Sequence, residues 1–357
     1  MRILAILLSL APLLVGAQVS IYPTLEKDEL LSVLKEDYKP YGLMTYGPTR
    51  DSMYRNVYRD MDGFVSCYYT GYSVFLPEDV DPSSFLYNDG DDLGITAEHI
   101  YPQSKGASEG NAKSDMHALV PVIWRANERR SNYPFGEVPD DETDHWYNLE
   151  EDLVATPTDN IDQYSELLNG GFGHPGKFEP RESIKGDVAR AVFYFYTMYK
   201  EEADAADADY FNDMMEVLAE WHLQDPVDST EYVLNQLKAP FQDNKLNPFI
   251  LDCTLVSRAY FDRTETDCSL GSYTTEVKDL NFLNPIKIFP NPTKDYVSIT
   301  SDYPIIKAWI NDVFGQQHIA SEVYRAQQLD TSVLNAGLYV VNVETKFGIF
   351  TKLMLKN

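Results

Sequence analysis

Long apolar runs are missing from most of this chain. After the first 17 residues no stretch approaches the roughly 20 apolar residues of a membrane-spanning helix, so the mature protein is expected to carry no such span. Cysteine is scarce. Cys67, Cys253 and Cys268 are the whole complement of 357 residues, and none has the CxxC spacing of a zinc or redox site, which leaves the thiols without a chemical role. HExxH is absent, and with it the commonest signature of a secreted zinc protease. Positive charge is thin as well: 29 Lys and Arg face 56 Asp and Glu, a net charge of −27 that counts against a polyanionic partner unless basic side chains gather locally.

The hydrophobic content of 44%, with 25 Tyr and 17 Phe, excludes wholesale disorder, and the length suggests two or three folding units. Arg2, the apolar run Ile3 to Val15 and the short residues Val15-Gly16-Ala17 before Gln18 have the pattern of a secretory signal peptide over 1–17. Export places the cysteines in an oxidising compartment, where Cys253 and Cys268, 15 residues apart, are the simplest pair. The chain changes character near 283. Residues 283–357 hold seven basic and six acidic residues, which leaves 22 of the basic and 50 of the acidic ones upstream. In this near-neutral tail, Ile286 to Phe289, Tyr296 to Thr300, Ile305 to Val313, Leu338 to Glu344 and Phe350 to Leu355 are short β-branched and aromatic runs between turn residues, the pattern of a small β-sandwich.

Upstream the expected class is α+β. Ile184 to Tyr199 has apolar residues at 184, 188, 192, 195 and 199, the stripe of a buried helix. Phe211 to His222 and Glu231 to Leu237 predict further helices, and Val65 to Phe75 a strand. Acidic stretches such as Pro139 to Asp144 and Glu201 to Asp209 are expected on solvated loops or helix faces. The reading divides the chain into a signal peptide (1–17), a mixed domain (18–265), a linker (266–282) and the β-tail (283–357).

Six histidines make the search for a general base short. His318 lies in the tail, His174 in a glycine-rich loop, His145 in an acidic segment, and His222 at the end of a helix beside Trp221. His99 and His117 stand apart. Glu98-His99 sets a carboxylate beside an imidazole, Asp115-Met116-His117 follows after a polar loop, and then come an apolar strand, Ala118 to Ile123, and a helical segment, Trp124 to Ser131. In a strand, loop, strand, helix unit, an oxygen of Glu98 and the amide of Asn127 could converge on one hard divalent cation. Mg²⁺ accepts few protein ligands, all oxygen, and keeps several waters. His99, on the opposite side of the strand from Glu98, could deprotonate a water. Gly106-Ala107-Ser108-Glu109-Gly110 matches GxSxG, yet a nucleophile elbow follows an apolar strand, and Gln103-Ser104-Lys105 precedes this one, so a serine hydrolase is rejected.

Glu98-His99 with Pro102-Gln103-Ser104, Asp115-Met116-His117, Asn127 to Asn132 and Pro134-Phe135-Gly136-Glu137 together resemble the secreted endonuclease I family, nucleases of the His-Me finger class built on a ββα-metal motif. Lys185-Gly186-Asp187 through Ala191, Asn244 to Phe249, and Cys67-Tyr68-Tyr69-Thr70-Gly71 fit as well, so the likeness spans residues 37 to 265. It implies His99 as general base and Glu98 and Asn127 as ligands of one Mg²⁺, with Mn²⁺ or Ca²⁺ as substitutes. It further implies Asp115 and His117 in support, and DNA, with RNA beside it, as substrate cut without marked sequence preference. The family's transition-state arginine lies in the loop between the two strands, where this chain offers only Lys105 and Lys113. That role is open, with Arg130 a further candidate. Arg125, Arg129 and Arg130 around Asn127 supply the local positive charge that the net charge lacks.

In the tail, Ile288-Phe289-Pro290-Asn291-Pro292, Asp312 to Gln316, Leu334 to Tyr339 and Lys352 to Lys356 resemble the C-terminal sorting domain of the type IX secretion system. That implies the outer-membrane secretion machinery as a partner and an extracellular or cell-surface destination. A rival reading is a catalytically inactive, surface-displayed binding module, which would have no reason to keep Glu98, His99 and Asn127 together.

Overall fold

A computed structural model describes residues 20–60, 62–171, 175–261, 286–301, 305–312, 317–322, 328–345 and 348–357. The signal-peptide segment, His174, Cys268 and the linker reading lie outside them. The chain divides into two compact units, Met1–Ser272 and Tyr273–Asn357.

In the first unit the helices are α1 (Lys27–Tyr38), α2 (Tyr46–Ser52), α3 (Pro82–Tyr87), α4 (Gly110–Ser114), α5 (Trp124–Arg130), α6 (Lys185–Met198), α7 (Lys200–Asp207), α8 (Met215–Gln224), α9 (Ser229–Lys238), α10 (Pro248–Leu251) and α11 (Leu255–Tyr260). Three start on side-chain caps the sequence supplies. Asp81 accepts from Ser84 N at 2.8 Å, Asp228 from Glu231 N at 2.8 Å and Asn247 from Phe249 N at 3.0 Å, and Pro follows directly at α3 and α10. α6 is the centre of the unit. Of its residues only Asp187 is not buried, which is the signature of a helix enclosed on all sides. Gly186 at its first turn is required by contact: a Cβ there would lie 1.9 Å from the carbonyl oxygen of Asp225.

The strands are β1 (Phe64–Ser66), β2 (Ser73–Phe75), β3 (Ile95–His99), β4 (Leu119–Ile123), β5 (His145–Asn148), β6 (Glu151–Leu153), β7 (Ser165–Leu168) and β8 (Lys177–Glu179). β1 pairs with β2, β3 with β4, and a four-stranded sheet has the order β6-β5-β7-β8. The single strand expected over 65–75 is thus two. Gly71, at φ +76°, turns the chain, and Cys67 N bonds to Tyr72 O across the reversal. β3 and β4 are antiparallel with Glu98 opposite Val120 and His99 opposite Leu119, and α5 follows β4 without a loop. The expected order of strand, loop, strand and helix is observed. Cys67 is a buried free thiol and Cys253 is disulfide-bonded.

The four-stranded sheet buries carboxylates at a cost. Glu166 on β7 is 7% exposed, and burial pushes its carboxyl up to about 8 against the bond it accepts from Thr143. A raised native value penalises the charged form, so this group's contribution is favourable below the ordinary Glu range and is lost as pH rises toward 8. Glu166→Gln should therefore gain stability relative to the wild type between about pH 5 and 8, read as the difference in urea midpoints. A pH-independent difference would contradict this.

The second unit holds two sheets, of three strands in the order β13-β10-β9 and four in the order β12-β11-β14-β15. Here β9 is Ile286–Phe289, β10 Tyr296–Ser301, β11 Ile305–Asp312, β12 Gln317–Glu322, β13 Gln328–Asp330, β14 Gly337–Thr345 and β15 Gly348–Lys356. Val297 and Ile299, Ala308 and Ile310, and Tyr339, Val341 and Val343 recur every second residue and enclose a core of their own with Ile286 and Met354. β12, with Gln317, His318, Ser321 and Glu322 among its six residues, and the three-residue β13 lack the apolar run by which a sequence pattern would show a strand.

Candidate active site

Successive strand residues face opposite ways, and the neighbours of Glu98 and His99 differ accordingly. His99 is 4% exposed and tilts against the ring of Tyr46, centroids 5.3 Å apart. Its Nε2 lies 2.9 Å from the Lys113 carbonyl oxygen. A carbonyl only accepts, so Nε2 carries the hydrogen and Nδ1 is left as the basic nitrogen. Burial depresses this imidazole to about 4. The cations of Lys113, Arg130 and Arg50 act in the same direction and the Lys113 carbonyl opposes them. At neutral pH His99 is therefore an uncharged base.

The return segment fixes that carbonyl. Asp115 has no exposed surface and accepts from His117 N at 2.9 Å, Tyr194 OH at 2.9 Å and Tyr199 OH at 2.8 Å, both tyrosines from the end of α6. His117 Nε2 donates to Lys245 O at 3.0 Å, its ring edge-on to Tyr194, and Met116 N donates to Gln242. Burial, with Lys238 assisting, lowers His117 to about 3, so it is a neutral pin between β4 and the loop before α10. Asp115 and His117 hold the site's frame.

On the other face, Glu98 Oε1 accepts from Tyr69 OH at 3.1 Å and from Arg130 Nη1 at 3.0 Å. Desolvation raises the Glu98 carboxyl, while Arg130 and Tyr69 pull it back. Asn127 Nδ2 donates to Thr96 Oγ1 at 2.9 Å; Thr96 is two residues before Glu98 and on its face. Both side-chain bonds to Glu98 fall on Oε1, and the Thr96 bond uses the nitrogen of Asn127 and not its Oδ1. One carboxylate and one amide oxygen suit a hard cation that retains water, and unlike a zinc site they include no imidazole or thiolate. The donor set fits Mg²⁺ on this chemistry. Among the described residues no cluster of three or more His, Cys, Asp or Glu offers an alternative.

The basic candidates are placed differently from the expectation. Arg130 has no exposed surface; besides Glu98 it donates to the carbonyls of His99 and Ile100, and its guanidinium covers the Phe135 ring at 4.4 Å. In this position it clamps Glu98: both terminal nitrogens are spent on Glu98 and main-chain carbonyls, and the Nε, which has no partner, is buried. Arg125 donates to Glu150 O and lies 3.8 Å from Asp152, Arg129 pairs with Asp152 at 2.9 Å, and Lys105 pairs with Asp207 at 2.6 Å. Around Asn127, Arg125 and Arg129 thus share Asp152 on β6 and Arg130 pairs with Glu98, so two carboxylates offset most of the local positive charge expected there. Lys113 is the exception: among the described residues it enters no ion pair, and its Nζ lies over the Tyr46 ring at 5.2 Å. Sequence reasoning missed Tyr46 and Arg50 altogether, and named Tyr69 only within the Cys67 to Gly71 motif, without a role. The usable signal was the four-residue spacing of Tyr46 and Arg50, which puts an aromatic and a cation on one helix face.

A neutral, oriented imidazole beside a buried carboxylate, on a strand, strand, helix frame, is the equipment of an enzyme that activates water: a hydrolase. The profile of the Endonuclease I family matches residues 26–253, most of the chain, and the chain belongs to that family. Residues 287–357 match the secretion system C-terminal sorting domain, as the tail's motifs implied. Two relatives are each named extracellular ribonuclease. That of Bacillus subtilis (strain 168) is 26% identical over 232 residues, 57% of this chain and 72% of the relative. That of Bacillus amyloliquefaciens is 26% identical over 166 residues, 43% of this chain and 49% of the relative, so the chain spans about half of its length. The protein is a nuclease, secreted or held at the cell surface. Among the described residues no helix is long and apolar enough to cross a membrane.

Proposed function

We propose that the protein is a metal-dependent endonuclease of the His-Me finger, ββα-metal type that hydrolyses phosphodiester bonds in DNA and RNA with little sequence preference. The observation that supports it best is the His99 tautomer, a neutral Nδ1 base oriented through Nε2 by a main-chain carbonyl. The relatives' name supports RNA as a substrate.

In this reading His99 Nδ1 takes a proton from water. The water oxygen forms the new bond to phosphorus, the bond from phosphorus to the departing sugar oxygen breaks, and that oxygen takes a proton from solvent. Glu98 and Asn127 would hold one Mg²⁺, with Mn²⁺ or Ca²⁺ able to substitute; when bound it stabilises negative charge on the phosphate and the departing oxygen. Arg130 positions Glu98, and Asp115 and His117 position the Lys113 carbonyl and with it the His99 ring. The chain is organised as a signal peptide to residue 17, the nuclease domain to 265, a linker over 266–282 and the sorting domain from 283, which engages the outer-membrane secretion machinery.

Incubating the purified protein with plasmid DNA and with a structured RNA, in Mg²⁺ and in chelator, tests this reading. Both polymers should be degraded in Mg²⁺ and spared in chelator. Absence of chelator-sensitive degradation of either polymer would sink it and favour a binding module.

A further inference from the structure

The site described so far has a base and a carboxylate clamp, and of its expected phosphate contacts all but Lys113 are spent elsewhere. In a chain with 56 acidic residues, Lys105, Arg125, Arg129 and Arg130 are all paired with carboxylates, Arg125 and Arg129 sharing Asp152. Two basic side chains beside His99 have not. Among the described residues neither Arg50 nor Lys113 enters an ion pair. Both are half-buried, and they meet at a neutral surface, the ring of Tyr46: Arg50 Cζ is 4.9 Å and Lys113 Nζ 5.2 Å from its centroid. The same ring leans on His99 at 5.3 Å. Arg50 and Tyr46 are four residues apart on α2, hence stacked on one helix face. The Arg50 Nε is buried and has no hydrogen-bond partner, as is also true of Arg125 and Arg130, but only in Arg50 does the guanidinium lack a carboxylate as well among the described residues.

A buried guanidinium nitrogen without an acceptor is costly, and an aromatic face holds a cation without neutralising it. An arrangement that keeps two cations together with no ion pair to either, among the described residues, suits an anionic ligand that arrives from outside. Guanidinium is matched to phosphate because its N–H groups form two parallel bonds to two oxygens. We propose that Arg50, supplied by α2 and not by the loop between β3 and β4, is the arginine that contacts the scissile phosphate, with Lys113 as its neighbouring point charge. The assignment rests on the nuclease reading above. In that position the guanidinium would stabilise charge developing on the phosphoryl oxygens.

The test combines kinetics with binding. In saturating Mg²⁺, Arg50→Ala should lower kcat on plasmid DNA about 10²-fold with little change in KM, and Arg50→Lys should recover part of the loss. In chelator, anisotropy of a fluorescein-labelled duplex 20-mer should show the slope of log K against log salt reduced by about one in Arg50→Ala, the mark of one lost phosphate contact. Lys200→Ala, a basic residue paired with Asp204 at 2.5 Å on α7, should change neither. If Arg50→Ala melts well below the wild type, Arg50→Gln carries the same measurements. An Arg50 variant with kcat within threefold of wild type and an unaltered salt slope overturns the assignment. So does an equal loss in Ala, Gln and Lys variants with an unaltered slope, which marks a structural role. A wild type that cuts neither polymer defeats the nuclease reading instead, and the chelator arm still reads the Arg50 contact.

Discussion

Replacing His99 by alanine should lower turnover by about 10² to 10⁴ while leaving the affinity for Mg²⁺ close to that of the wild type. The expectation follows from where the ring's two nitrogens go. Nε2 is committed to the Lys113 carbonyl and only Nδ1 is left for chemistry, so the variant loses a proton acceptor. Glu98→Ala and Asn127→Ala should behave in the opposite way. Each removes one of two protein oxygens from a hard cation, and half-saturation by Mg²⁺ should rise about tenfold or more. Calorimetric titration of Mg²⁺ into the three variants, beside activity measured over the same range, separates the roles. Rescue of His99→Ala by excess Mg²⁺ would require base and ligand to be exchanged.

The second large effect is on stability. Arg130 is fully buried against Glu98, which is 4% exposed, and removing one partner of such a pair leaves the other charge uncompensated. Arg130→Ala should cost about 3–5 kcal/mol in urea unfolding at neutral pH. The sign of its pH dependence is fixed by Glu98. Its carboxyl is already raised by burial, and without the guanidinium it is raised further, so the folded variant favours the protonated form. The variant's deficit relative to the wild type should then shrink as pH falls toward the ordinary Glu range and grow as pH rises above it. Arg130→Ala combined with Glu98→Gln should recover part of the loss. A single-variant cost below about 1 kcal/mol would show that the clamp is not needed.

What the sequence revealed and what it hid have the same physical origin. Local periodicity made α6 and the tail's apolar strands visible, because burial repeats every turn in one and every second residue in the others. The chemistry of His99 and Glu98 was visible because they are adjacent. Contacts distant along the chain were not. Tyr46 and Arg50 reach His99 from a helix some 50 residues upstream. The arginines around Asn127 look like an open basic patch only until β6 brings Asp152 against them. That strand, Glu151–Leu153, is three residues long and polar, as are its sheet partners in part, and nothing in its composition marks it as a strand. Tyr101 gives a smaller example. It stacks on Phe195 at 4.4 Å with its hydroxyl buried and unbonded, in a slot shaped for an apolar ring, which its sequence neighbours alone do not disclose.

The central position of α6 has a consequence for how the enzyme comes apart. This one helix stacks Phe195 on Tyr101, bonds Tyr194 to Asp115 and ties Arg190 to Glu231 on α9, so the loop that orients His99 is fastened to the least accessible segment of the nuclease unit. The site and the helix then belong to one cooperative unit, and the catalytic segment cannot loosen without most of the domain loosening too. Resistance of the site to proteases outside the cell is therefore set by global unfolding, and activity and intact structure should disappear together rather than in stages.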